Sequence, residues 1–212
     1  MQHISSLHYI TQDTAHASHA QLAEYACQGG IDWVQLRVKN IGFEEWKKQA
    51  VEVKKVCQQY KAKLLINDNV KVAEEIQADG VHLGKQDMDA DKARDILGEQ
   101  AIIGGTANTY EDILRLAKWK VDYIGLGPFR FTTTKENLSP ILGMEGYKAI
   151  LESMKKQDIH IPLIAIGGIT IEDVPSIKSI GVHGIAISGA ISHAPNVSQK
   201  ANEFVSLVKE SK

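Results

Sequence analysis

Cysteine is scarce in this chain: only 2 of its 212 residues. Cys27 and Cys57 stand apart, each inside a helix-like stretch, which excludes a disulfide framework and a cysteine-based metal spacing. Two structural thiols in a reducing compartment is the default reading. No apolar run approaches the ~20 residues of a membrane span. The stretch from Met1 to Tyr9 lacks the basic start and long apolar core of a signal peptide, so a cytoplasmic location is expected. Neither sign of charge dominates. The 24 Lys and Arg face 26 Asp and Glu, for a net charge of −2, which argues against a nucleic-acid footprint or a polybasic membrane patch. The histidines are dispersed without metal-ligand spacing. There is no Ser-His-Asp or Cys-His arrangement. No low-complexity linker interrupts the chain, so residues 1–212 read as one domain. What remains, 43% hydrophobic and 24% charged, is an ordinary globular balance with enough length for a substantial core.

Short β-branched runs alternate with amphipathic stretches from end to end. The strand candidates are Leu7–Thr11, Trp33–Val38, Lys63–Asp68, Gly80–Gly84, Ile102–Ala107, Tyr123–Pro128, Pro162–Gly168 and Gly184–Ala190. Helical patterns lie between them, among them Phe43–Tyr60, Tyr110–Lys118 and Gly146–Lys156. A strand-helix unit recurring about every 25 residues signals parallel strands joined by crossover helices. Eight such units predict an α/β fold of the (β/α)₈ TIM barrel type. An open, doubly wound sheet is the competing topology. One connection is unusually long, from Phe129 to Glu145, and it contains Thr132-Thr133-Thr134-Lys135. Long loops in compact domains are often lids or binding loops.

The run Trp-Val-Gln-Leu-Arg-Val-Lys at 33–39 is unusual. Side chains alternate along a strand, so Gln35, Arg37 and Lys39 share one face while Val34, Leu36 and Val38 share the other. The aliphatic face suits helices. The other face aims two cations at the interior, where an anionic ligand would compensate them. An edge strand with both cations in water is the plain alternative. The rest of the chain favours the ligand. In a barrel of this type the active site lies at the C-terminal ends of the strands, and the unusual residues gather there. They include Asn67-Asp68, Gly84-Lys85-Gln86-Asp87, Gly105-Thr106-Ala107-Asn108, the threonine loop, Gly167-Gly168-Ile169 and Ser188-Gly189-Ala190. Each has a simpler explanation alone. Asn67-Asp68 could cap a helix near Val70, and Asp87 or Asp89 could cap one near Ala90. His82 reads as a core or near-core histidine, and His183 as a turn residue. Taken together, two carboxylates on adjacent strand ends suit Mg²⁺, which takes one or two carboxylates plus phosphate oxygens. Arg37, Lys39 and Lys135 could surround the same phosphates. Gly167-Gly168 and Gly189 leave backbone N–H groups for a second anion.

These motifs, in this order, resemble the thiamine phosphate synthase family over essentially the whole chain. The matching stretches are Gln-Leu-Arg-Val-Lys at 35–39, Ile-Asn-Asp at 66–68, Ala-Asp-Gly-Val-His-Leu-Gly-Lys-Gln-Asp at 78–87 and Gly-Leu-Gly-Pro at 125–128. They continue with Thr-Thr-Thr-Lys at 132–135, Ala-Ile-Gly-Gly-Ile at 165–169 and Ser-Gly-Ala-Ile at 188–191. The resemblance implies a barrel that joins hydroxymethylpyrimidine diphosphate to hydroxyethylthiazole phosphate and releases pyrophosphate. It implies Arg37, Lys39, Asn67 and Lys135 as diphosphate ligands, and Asp68 and Asp87 as Mg²⁺ carboxylates. By the same resemblance Gln35 and Thr106 contact the pyrimidine, while Thr132, Thr134, Gly168 and Ser188 contact the thiazole phosphate. Small-molecule substrates are then the expected partners, and homo-oligomerisation is left open.

The chain departs from the family pattern in places. Val38 replaces a common Glu, and Thr106 a usual Ser. Asn108 stands where relatives commonly carry His. Phe129-Arg130-Phe131 precedes the threonines where relatives have Pro and an aromatic. Thiazole tautomerase, with the same barrel, is the alternative enzyme. It usually lacks the second carboxylate and carries its catalytic His at the position of Asn108. A phosphate-sensing barrel without turnover is a third reading, against which Asp68, Asp87 and Lys135 stand.

Overall fold

The computed structural model describes residues 2–132 and 139–210. Eight parallel strands close into a barrel in sequence order. They are β1 (Leu7–Ile10), β2 (Trp33–Leu36), β3 (Lys63–Asn67), β4 (Gly80–Leu83), β5 (Ile102–Ala107), β6 (Tyr123–Leu126), β7 (Leu163–Ile166) and β8 (Gly184–Ile187). All eight fall within the runs predicted from the sequence. The open-sheet alternative is excluded because β1 pairs with β8 through Leu7, His8 and Tyr9. The helices are α1 (His19–Gln28), α2 (Phe43–Tyr60), α3 (Val70–Ile76), α4 (Ala90–Leu97), α5 (Tyr110–Lys118), α6 (Gly143–Lys156), α7 (Val174–Ser179), α8 (Gly189–Ser192) and α9 (Val197–Glu210). The helix predicted at Gly146 begins three positions earlier, at Gly143. Among the described residues no helix is long and apolar enough to cross a membrane.

Alternation along the strands divides the core in two. Outward residues such as Val34, Leu36, Leu64, Ile66, Val81, Ile124 and Leu126 form one large cluster under the helices. Inward residues Ile10, Trp33, Leu65, Ile102, Tyr123, Ile164 and Ala186 fill the barrel with Ile4 beneath them. Large and small residues must interlock in so narrow a space. Gly104 illustrates this: a Cβ there would lie 2.2 Å from the Tyr123 ring. The inner positions therefore read from hydrophobic at the base to polar at the C-terminal rim. Gln35, Asn67, Thr106 and Ser188 all continue the inward faces of their strands.

Strand β2 ends at Leu36, two residues short of the predicted run. Arg37 and Lys39 are consequently rim residues, half-buried and exposed, rather than buried cations. The expectation of an inward-facing pair of charges is corrected by this early end: the chain leaves the barrel before the charges would be enclosed.

Candidate active site

The floor of the site is a polar chain inside the barrel. His82 Nδ1 lies 2.9 Å from the Tyr123 hydroxyl. Its Nε2 lies 3.0 Å from Thr106 Oγ1. Tyr123 is also hydrogen-bonded to Gln35, which is buried. Burial raises the Tyr123 hydroxyl pKa, so it stays a neutral donor. His82 is the near-core histidine expected from the sequence. Its two ring nitrogens link β5 and β6 through Thr106 and Tyr123. Tyr123 was not anticipated. The available signal was an aromatic on the inward face of a strand beside an inward glycine.

Above this floor sit the two carboxylates. Asp68 follows β3 in the left-handed region, at φ 66°, with its N–H donating to His82 O at 2.8 Å. Left-handed Asp costs some backbone energy and turns the chain sharply at the rim. Asp68 does not cap α3: Asn69 does, accepting from Val72 N–H at 3.0 Å. Asp87 does not cap α4 either, since Asp89 occupies that position. Instead Asp87 Oδ2 accepts the Gly84 N–H at 2.6 Å. The helix-cap explanation fails for both acids. They approach closely enough to share a hydrogen bond, and Asp87 is pushed up to about 6, first by burial and then by Asp68. Lys39 Nζ answers this charge at 2.6 Å from Asp68 Oδ2. Two carboxylates that repel each other and face a lysine are a suitable donor set for a hard divalent cation. No cluster of three or more acidic, His or Cys ligands exists among the described residues, so such a cation would take its remaining ligands from substrate and water.

Neighbouring loops are tied to this corner. Arg37 N–H donates to Thr11 Oγ1 at 3.2 Å. Buried Asp112, in the capping box of α5, accepts the Asn108 N–H at 2.9 Å and the Thr109 N–H at 3.2 Å. It also pairs with Lys85 and Arg115. Asp112 thus joins the β4 and β5 loops. Asn108 is itself buried, its side-chain amide donating to Gly127 O.

On the far side of the rim, Gly167 and Gly168 follow β7 with φ of 100° and 64°. Ser188 opens α8, and its hydroxyl donates to Gln12 Oε1 at 2.9 Å. Gln12 in turn bonds the His193 ring. Gln12 was not singled out in the sequence, because a lone Gln after β1 carries no pattern. Thr132 is half-buried. Thr134 and Lys135 lie outside the described residues. The structure therefore brings Gln35, Arg37, Lys39, Asn67, Asp68, Asp87, Thr106, Gly168 and Ser188 to one end of one barrel.

Comparisons with known proteins agree with this geometry. A sequence profile described as thiamine monophosphate synthase matches residues 7–191. The chain is 48% identical over 202 residues to the thiamine-phosphate synthase of Bacteroides thetaiotaomicron, covering 95% of this chain and 97% of the relative. It is 50% identical over 190 residues to that of Flavobacterium johnsoniae, covering 90% of each. Among solved structures, thiamine phosphate pyrophosphorylase from Pyrococcus furiosus superposes with a TM-score of 0.86 at 30% identity, over 97% of this chain and 96% of that one. The chain belongs to the thiamine monophosphate synthase family.

Proposed function

We propose that this rim condenses hydroxymethylpyrimidine diphosphate with hydroxyethylthiazole phosphate, giving thiamine phosphate and pyrophosphate. The observation that carries the reading is the Asp68–Asp87 pair with Lys39 beside it, on a family member of this length. The tautomerase alternative has no support: the curated relatives are thiamine-phosphate synthases, Asp87 is present, and the residue at 108 is a buried, non-titrating Asn.

The reaction breaks the bond between the pyrimidine methylene carbon and the diphosphate oxygen. It forms a bond from that carbon to the thiazole nitrogen. The electron pair of the broken bond leaves on pyrophosphate, and the nitrogen supplies the new pair. No enzyme nucleophile is needed. The protein must neutralise the leaving diphosphate and orient the acceptor. Asp68 and Asp87 would hold Mg²⁺, which when bound supplies charge stabilisation to the diphosphate. Arg37, Lys39, Asn67 and Lys135 bind the diphosphate oxygens. Gln35 and Thr106 orient the pyrimidine, with His82 and Tyr123 fixing their hydrogen-bonding directions. Thr132, Thr134, Gly168 and Ser188 hold the thiazole phosphate.

The test is turnover of the two substrates with Mg²⁺, with and without EDTA. Thiamine phosphate should form with Mg²⁺ and stop when the metal is chelated. Full activity in EDTA would remove the metal assignment, and isomerisation of a thiazole without coupling would overturn the reading.

A further inference from the structure

The turn after β7 consists of two successive glycines, the least ordered backbone a loop can use. Both of their carbonyls are held from outside by one residue. The Arg130 N–H donates to Gly167 O at 2.9 Å. Arg130 Nη1 donates to Gly168 O at 3.0 Å. In a trans peptide the carbonyl and the following N–H point in opposite directions. With both carbonyls drawn to Arg130, the N–H groups of Gly168 and Ile169 turn the other way. Among the described residues neither N–H meets an acceptor. Successive backbone N–H groups exposed in this manner form an anion-binding concavity.

Arg130 is itself fixed. Its Nη1 and Nη2 grip Asp173 Oδ2 and Oδ1, each at 2.8 Å. Asp173 is largely buried and also accepts the Thr170 N–H at 2.8 Å and the Thr170 hydroxyl at 3.0 Å. The approach is tight enough that a Cβ on Gly168 would lie 2.5 Å from Phe131 O. A planar guanidinium can serve a carbonyl and a carboxylate together, whereas an ammonium offers one point charge.

We propose that Arg130 is a positioning residue for the acceptor phosphate. It acts through the backbone of Gly168 and Ile169 rather than on the phosphate, and Asp173 anchors it. The inference rests on Gly168 as an acceptor-phosphate ligand and deepens that reading. Phe129-Arg130-Phe131, the stretch that departs from the family pattern, thereby gains a role.

The experiment compares wild type, Arg130→Met and Arg130→Lys in steady-state coupling. Each is assayed with hydroxyethylthiazole phosphate and with the unphosphorylated thiazole alcohol. Arg130→Met should raise KM for the phosphorylated acceptor about tenfold, the scale of one misaligned charge-assisted hydrogen bond. KM for the pyrimidine diphosphate should stay within twofold, and so should whatever rate the wild type shows with the alcohol. Arg130→Lys should fall between, since it can reach Gly168 O or Asp173 but not both. An unchanged acceptor KM in both variants would overturn the proposal. So would an equal loss with both acceptors, which marks a general structural role; Arg130→Lys decides the matter if Arg130→Met folds poorly. A wild-type protein that fails to couple would instead sink the functional reading itself.

Discussion

Lys39 Nζ and Asp68 Oδ2 are 2.6 Å apart, across the ends of adjacent strands. This pair lets a cation and an acid, both proposed to serve one diphosphate, coexist before it binds. Lys39 compensates Asp68, while Asp87 remains under pressure from burial and from Asp68. On the proposed function, metal and substrate would relieve that pressure. Replacing Asp68 or Asp87 with Ala should lower kcat/KM by roughly two to three orders of magnitude. Thermal unfolding should fall only modestly, because the repulsion removed offsets the loss of the Lys39 pair and of a left-handed position that favours Asp over Ala in one variant, and of the Gly84 N–H bond in the other. Near-normal turnover in both variants would end the assignment.

Asn69 provides the contrast, since it caps α3 directly after Asp68. Asn69→Ala should cost about 1 kcal/mol of stability. The loss should be read in urea denaturation, with turnover reduced far less than in Asp68→Ala. A reversed pattern would mean that the helix cap and the acid had been confused.

The Tyr123 hydroxyl joins Gln35 to His82. Tyr123→Phe leaves His82 Nδ1 without that partner and should cost about 1–3 kcal/mol. It should also raise KM for the pyrimidine diphosphate more than KM for the thiazole phosphate. Equal effects on the two substrates would show that the chain of hydrogen bonds does not orient the pyrimidine.

Acid stability depends on His8. It is buried with Nε2 unpartnered, stacked 4.4 Å from the Trp33 ring. Burial first, then His82, hold its pKa well below the usual 6.5. The folded protein therefore keeps His8 neutral, while the unfolded chain takes up a proton below that value. Stability from this source is full above pH 6.5 and declines as the pH falls, by up to about 1.4 kcal/mol per pH unit. His8→Phe should flatten the decline between pH 7 and pH 5 in urea titrations. An unchanged slope would place acid sensitivity elsewhere.

The barrel was legible in the sequence because its strands and helices carry different periods, and because eight repeats of one unit admit few closures. Asp68 and Asp87 were legible by residue type and strand position, but the helix-cap explanation was equally consistent. It took the bonds of Asn69 and Gly84 to separate the two. The strand end at Leu36 was not legible, since Val38 continues the aliphatic alternation past it. Tyr123, Asp112 and Arg130 were not singled out for one reason: each pairs across a sequence gap, with partners 27 to 43 positions away. No local pattern encodes such contacts.

The most direct measurement is the stoichiometry of products, followed by phosphorus NMR. With both substrates and Mg²⁺, pyrophosphate and thiamine phosphate should appear in equal amounts, and either substrate alone should yield neither. Pyrophosphate released without the thiazole phosphate, or no thiamine phosphate with both substrates present, would contradict the account.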